Sequence, residues 1–166
     1  MKSRALLVLL LATLLLVGCG TDKNLGVETI NLASMQWLDK TGSEVRLAAP
    51  LHTFDARYSY SEPTEDGSFT VKTTEETLFP TMVWVVSDPA SGTPAVLLAR
   101  SPHWGCLIEW DRDQQYFYDP CGGSRFDRSG RWTFGPSPRG MDHLQAEVRD
   151  DFLWVTNQIT YGDPAP

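Results

Sequence analysis

Ser101-Pro102-His103-Trp104-Gly105-Cys106 and Asp119-Pro120-Cys121-Gly122-Gly123-Ser124 are the two stretches on which the reading of the fold turns. Their Pro and Gly content marks both as loops, and each carries one cysteine. A strand signal leads into each. Ala95–Ala99 (AVLLA) is a continuous apolar run that reads as a buried strand, and Tyr116-Phe117-Tyr118 reads as a strand entering the second loop. Further out, Met82–Ser87 (MVWVVS) is a buried strand by its β-branched and aromatic content, and Glu44–Ala48 (EVRLA) is a short one. Thr53–Tyr60 and Ser68–Thr74 flank the turn signal Glu65-Asp66-Gly67 and form a predicted hairpin. Pro89–Pro94 is a loop, and Ala146–Arg149 and Phe152–Val155 form a closing hairpin across Asp150-Asp151. No long helical period is present, so an all-β domain of many short strands is expected.

The chain begins with a different signal. Lys2 and Arg4 precede an apolar run from Ala5 to Val17 that is interrupted only by Thr13. That run is shorter than the about 20 residues of a spanning helix, and residues 1–18 read as a signal peptide. Leu16-Val17-Gly18-Cys19 resembles the lipobox of bacterial lipoproteins, which implies lipidation of Cys19 after cleavage. Acyl chains there would anchor the protein stably to the extracytoplasmic side of a bacterial envelope membrane. Residues 19–33 are polar and without period, and read as a tether.

Removing Lys2 and Arg4 from the 14 basic residues leaves 12 against 21 acidic, a net charge of −9 over a mature chain of one domain's length. Such a surface excludes nucleic acid and electrostatic adhesion to anionic lipid.

Taken in order, the two loops resemble those of Rieske iron–sulfur domains, which run Cys-x-His-x-Gly-Cys and Cys-Pro-Cys-His-Gly-Ser. The first Cys and the His of each hold the two irons, and the second cysteines form a disulfide. The resemblance extends over about 95–157. Ser124-Arg125-Phe126-Asp127-Arg128-Ser129-Gly130 is similar to the family's Ser-x-Phe-Asp-x-x-Gly hairpin, and Gly135-Pro136-Ser137-Pro138 to the proline loop that covers the cluster. The implied fold is a Rieske-like antiparallel β-sandwich over 34–160. It would carry a loop-rich cluster-binding-type subdomain at about 100–140 and a tail at 161–166.

The resemblance places Ser101, His103, Asp119 and Gly122 at the four ligand positions, so one ligand of four survives. It also places Cys106 and Cys121 at the disulfide positions. With Cys19 assigned to lipid, the cysteine count agrees with that bridge in an oxidising compartment. A zinc site would need four ligands at metal spacing, and no such set stands out. A hydroxyl is a poor iron ligand near neutral pH, a carboxylate suits harder ions, and Gly offers nothing. The signal lacks the paired arginines of the route that exports folded Rieske proteins. Together these features imply a degenerate site with no cofactor, the alternative being a [2Fe–2S] cluster held by an altered ligand set.

The expected function is that of a membrane-anchored, non-catalytic interaction or accessory subunit of a membrane redox complex, with a complex subunit or a cytochrome as partner. The alternative is a Rieske-type electron-transfer protein. Pro102, Trp104, Gly135 and Pro136 are the expected docking tip, because an exposed Trp beside prolines suits an interface anchor. No hydrolase order, metal-binding helix or phosphate loop is present. Asp142-His143 reads as a solvated turn rather than a catalytic dyad, and His52 shows no partner by sequence.

Overall fold

The computed structural model describes residues 26–40, 45–48, 54–66, 68–78, 82–87 and 92–166. The signal segment, Cys19, Gly67 and His52 lie outside the described residues.

Strands β5 (Val83–Val86) and β6 (Ala95–Leu98) are the centre of the domain. They pair antiparallel, with Val83 opposite Leu98 and Val85 opposite Val96. Those four side chains face one hydrophobic cluster, while Val86 and Leu97 face another. Both faces of the pair are therefore buried. This is why its sequence shows unbroken apolar runs rather than alternation, and each fully buried aliphatic side chain contributes about 1.5–3 kcal/mol.

The pair belongs to a six-stranded antiparallel sheet in the order β1-β12-β11-β6-β5-β2. Its other members are β1 (Thr29–Ser34), β2 (Val45–Ala48), β11 (His143–Arg149) and β12 (Phe152–Thr160). Leu32 of β1 and Ala48 of β2, on opposite edges, join Val83, Val96, Leu144 and Leu153 in the first cluster. A short helix, α1 (Met35–Lys40), adds Leu38 to it. A smaller sheet packs on the other side in the order β10-β9-β8-β7, from β7 (Glu109–Asp111), β8 (Tyr116–Tyr118), β9 (Arg125–Phe126) and β10 (Trp132–Phe134). Phe117, Phe126, Ile108 and Met141 join Leu97 in the second cluster. The predicted hairpin forms as β3 (Phe54–Pro63) with β4 (Phe69–Leu78), paired along its whole length. The fold is all-β and antiparallel, as expected.

Two boundaries differ from the sequence reading. The predicted tether over 19–33 ends early, because Thr29–Ser34 is an edge strand paired with β12. Asn157 fastens its start: its side-chain oxygen accepts from the Glu28 amide at 3.0 Å and its amide donates to the Gly26 carbonyl at 2.9 Å. Only Leu32 of β1 is buried, so the segment carries a weak apolar signal. The predicted tail over 161–166 also folds back. Gly140 donates to the Asp163 carbonyl at 2.8 Å, and Ala165 to the Pro138 carbonyl at 3.0 Å. Polar residues hid this segment because its contacts are backbone to backbone.

The closing hairpin forms as expected. Asp150 and Asp151 both have positive φ, 52° and 62°. That matches a two-residue turn whose twist suits the flanking strands.

Candidate functional site

The two quoted loops share one backbone design. In the first, between β6 and β7, the Ser101 amide donates to the Cys106 carbonyl at 2.8 Å, and the Gly105 amide donates back to Ser101 at 2.9 Å. In the second, between β8 and β9, the Asp119 amide donates to the Ser124 carbonyl at 2.9 Å, and the Gly123 amide donates back to Asp119 at 2.8 Å. Gly105 and Gly123 have φ of 70° and 74°, a conformation that favours glycine at both points. Ser101 and Asp119 thus stand at equivalent positions in the two loops.

Their side chains meet. The Ser101 hydroxyl donates to Asp119 Oδ2 at 2.6 Å, and both residues are fully buried. Ser101 Oγ also accepts from the His103 amide at 3.1 Å. The other carboxylate oxygen, Oδ1, accepts from the amides of Cys121 at 2.9 Å and Gly122 at 3.2 Å. Asp119 therefore caps its own loop with one oxygen and bonds the opposite loop with the other. Cys106 and Cys121 are joined by a disulfide with Cα atoms 6.3 Å apart, a second link between the same loops.

His103 is 2 % exposed, with both ring nitrogens away from solvent. Burial pushes its pKa below the usual histidine value, opposed by the nearby Asp119 carboxylate. Its ring leans towards Gly122. A Cβ built on Gly122 would lie 2.7 Å from His103 Nδ1 and 3.0 Å from Asp119 Oδ2. The φ of Gly122 is not positive, unlike that of its neighbour Gly123. The absent side chain is filled space, not a backbone requirement.

The four ligand positions of the sequence reading are therefore brought together. Among the described residues, one group of His, Cys and acidic side chains is close enough to hold a metal ion: Cys106, Asp119 and Cys121. Both of its sulfurs are in the disulfide.

The expected docking tip divides. Trp104 is 42 % exposed and stacks on His103, ring centroids 5.1 Å apart. Pro136 is exposed and Gly135 partly so. Pro102 is buried and does not belong to the surface; it lies within the turn that the Gly105 amide closes on the Ser101 carbonyl. Leu107 and Phe134, which the sequence reading did not single out, are exposed apolar residues.

One contact lay outside that reading. Ser124 is fully buried, and its hydroxyl oxygen accepts from the Ser137 amide at 2.9 Å. This fastens the proline loop to the second loop. Gly135 lies so close that a Cβ there would sit 2.6 Å from Ser124 Cα. The motif order was the only signal for this contact.

Asp142 corrects the expectation of a solvated turn. It is fully buried, and both its oxygens pair with Arg139, Nε to Oδ1 at 2.8 Å and Nη2 to Oδ2 at 2.8 Å. Oδ1 also accepts from the Gly162 amide at 3.1 Å. The neighbouring His143 is held below its ordinary pKa by burial, against the pull of Asp142 and Asp163. The carboxylate is thus committed to Arg139 and the folded-back C-terminal segment.

Comparison with known proteins finds iron-sulfur subunits of cytochrome b6-f complexes. The chain is 35% identical over 71 residues to cytochrome b6-f complex iron-sulfur subunit 2 of Nostoc, covering 43% of this chain and 40% of that protein. It is 33% identical over 88 residues to the cytochrome b6-f complex iron-sulfur subunit of Synechococcus elongatus, covering 51% and 49%. The chain is related to the Rieske iron–sulfur proteins. The chloroplastic iron-sulfur subunit of Triticum aestivum is 31% identical over 88 residues, with 51% of this chain and 39% of that one covered. These matches span less than half the length of the curated relatives. A solved structure, the plasma-membrane Rieske protein of Synechocystis, aligns with a TM-score of 0.47 and 20% identity over 76% of this chain and 97% of that one. No protein-family model matches the chain. Among the described residues, no helix is long and apolar enough to cross a membrane.

Proposed function

We propose that the protein is an envelope lipoprotein, anchored through Cys19, whose Rieske-like domain has lost its [2Fe–2S] cluster and serves as a non-catalytic accessory or docking subunit of a membrane redox complex. The similarity to cytochrome b6-f iron-sulfur subunits supports a complex of that kind as partner. The exposed Trp104, Leu107, Phe134 and Pro136 supply apolar surface on and beside the tip for docking.

The observation that carries the loss of the cluster is the bond between Ser101 and Asp119. A Rieske cluster takes two thiolates on one iron and two imidazoles on the other. These positions offer a hydroxyl and a carboxylate bonded to each other, one imidazole, and no side chain. Both nearby sulfurs are in the disulfide. The residues do not fit the cluster.

The second reading is an electron-transfer protein that keeps a cluster through an altered ligand set. The iron-sulfur subunits among the relatives favour it. The deciding experiment measures iron and acid-labile sulfide in protein purified anaerobically. The cluster-free reading expects colourless protein without stoichiometric iron. A Rieske-type electron paramagnetic resonance signal after reduction supports the second reading instead.

A further inference from the structure

We propose that the degenerate ligand positions form a polar cross-link that takes over the structural work of the cluster. Ser101, His103, Asp119 and Gly122 would fill the site from within and hold the two loops together without iron. The inference rests on the cluster-free reading and extends it: the site has been rebuilt, not merely emptied.

Three observations carry it. First, Ser101 and Asp119 occupy the equivalent point of two loops with the same hydrogen-bond pattern, so their contact joins the loops at their bases. In a Rieske site these are the two thiolate positions, which meet through an iron. Here a short hydrogen bond to a carboxylate, one of the stronger kinds, spans that gap directly. Second, no oxygen of the pair is left without work. Ser101 Oγ donates to Asp119 and accepts from the His103 amide, and Asp119 Oδ1 accepts from the amides of Cys121 and Gly122. A buried polar group without such partners would destabilise the loops. Third, the two imidazole positions have also become complementary. Gly122 removes one side chain, and the His103 ring leans into the room it leaves, where a Cβ would stand 2.7 Å from Nδ1.

The arrangement explains why Gly122 is compatible with a buried His103, and why Asp rather than another residue stands at 119. An Asp has one oxygen to cap its own loop and one to reach across. It also couples the interior to the surface, since His103 stacks on the exposed Trp104.

The test uses the full chain and reads the amides of Gly105 and Gly123 by hydrogen exchange. Each donates to a backbone carbonyl of its own loop, so neither bond is removed directly by changing the Ser101 side chain. If the cross-link holds both loops, Ser101→Ala raises exchange at both amides by about tenfold, the cost of a hydrogen bond to a charged group. Gly122→Ala, acting from the other loop, shifts the His103 ring resonances and the Trp104 emission. Exchange unchanged in Ser101→Ala, or raised only at Gly105, overturns the cross-link. If Ser101→Ala does not fold, Asp119→Asn is read in the same way from the second loop. A separate arm distinguishes the two levels of the argument. Wild-type protein is incubated anaerobically with iron and sulfide. A Rieske-type signal from it sinks the cluster-free reading itself. Empty wild type with silent variants sinks only the cross-link.

Discussion

Ser101 and Asp119 are 18 residues apart in sequence, and their side chains meet at 2.6 Å in the interior, each at the base of its own loop. That contact lies beside the Cys106–Cys121 disulfide, so one covalent and one polar link join the same pair of loops. The two links are separable by mutation.

Replacing Cys106 and Cys121 together with Ser is expected to cost about 3 kcal/mol, the chain-entropy value for a closed loop of this size. Urea denaturation of the double variant against wild type measures it. A loss well below 1 kcal/mol would mean that the unfolded chain keeps these two loops close even without the bridge.

Gly135→Ala is expected to destabilise the protein by about 1–3 kcal/mol and to loosen the proline loop. Gly135 has φ of 94°, and its Cβ would strike the Ser124 backbone. Gly123 is the control: its φ is 74°, but a Cβ there meets nothing within 4 Å. Gly123→Ala should therefore cost less. Equal losses for the two variants would show that backbone conformation, not close packing on Ser124, constrains position 135.

Much of this site was legible because the motif constrains backbone as well as chemistry. The loop glycines, the flanking strands and the cysteine pair are local features, and the apolar runs of β5 and β6 follow from burial on both faces. What was missed depends on pairing at a distance. Thr29–Ser34 reads as polar because its role is to supply backbone to β12 and bury Leu32. Asp142 reads as solvated because the Gly162 amide, 20 residues on, becomes its neighbour only when the C-terminal segment folds back, and nothing in the sequence marks the nearby Arg139 as its buried partner. Pro102 looks like a surface residue until the turn around it is closed.

Asp142→Asn is expected to destabilise by about 3 kcal/mol, since it strips the charge partner from a largely buried Arg139. Amides in 161–166 should lose exchange protection at the same time, because Asp142 also holds the Gly162 amide. Retained protection there would show that the backbone bonds of Gly140 and Ala165 hold the segment unaided.

Stability should fall on mild acidification. His103 and His143 are both held below the ordinary value of 6.5 by burial. As pH drops below 6.5, the unfolded chain takes up protons that the native state does not, so unfolding is favoured until the native pKa values are passed. Above 6.5 both states hold neutral rings and the contribution is fully present. Urea midpoints at pH 7.5 and 5.5 test this, and His103→Gln should reduce the difference. Identical midpoints would rule the effect out.

Changing Cys19→Ser is expected to block processing or to release the protein from membranes. The lipobox-like Leu16-Val17-Gly18-Cys19 motivates it. Fractionation of cells carrying the variant is the measurement. Normal cleavage with unchanged membrane association would remove the lipid assignment and leave a protein partner as the anchor.

Rebuilding the iron site should require all three changes at once. Ser101→Cys and Asp119→Cys replace the cross-linking pair with two thiols, and Gly122→His supplies the second imidazole beside His103. Any single change leaves the ligand set incomplete, so single variants should stay empty after anaerobic reconstitution. The triple variant should take up a cluster, because the matching hydrogen bonds of the two loops place positions 101 and 119 in equivalent backbone settings. Position 122 is the demanding step. Its φ suits a side chain, but a Cβ there meets His103 Nδ1 at 2.7 Å, so the His103 ring must turn away. In the triple variant the Asp119 oxygen beside that Cβ is also gone, which leaves the ring room to move. Added thiols can mispair, so reconstitution needs protein whose Cys106–Cys121 bridge has been verified by mass spectrometry. A correctly bridged, folded triple variant that remains colourless would mean that the loops no longer have the spacing a cluster needs, despite their shared hydrogen-bond pattern.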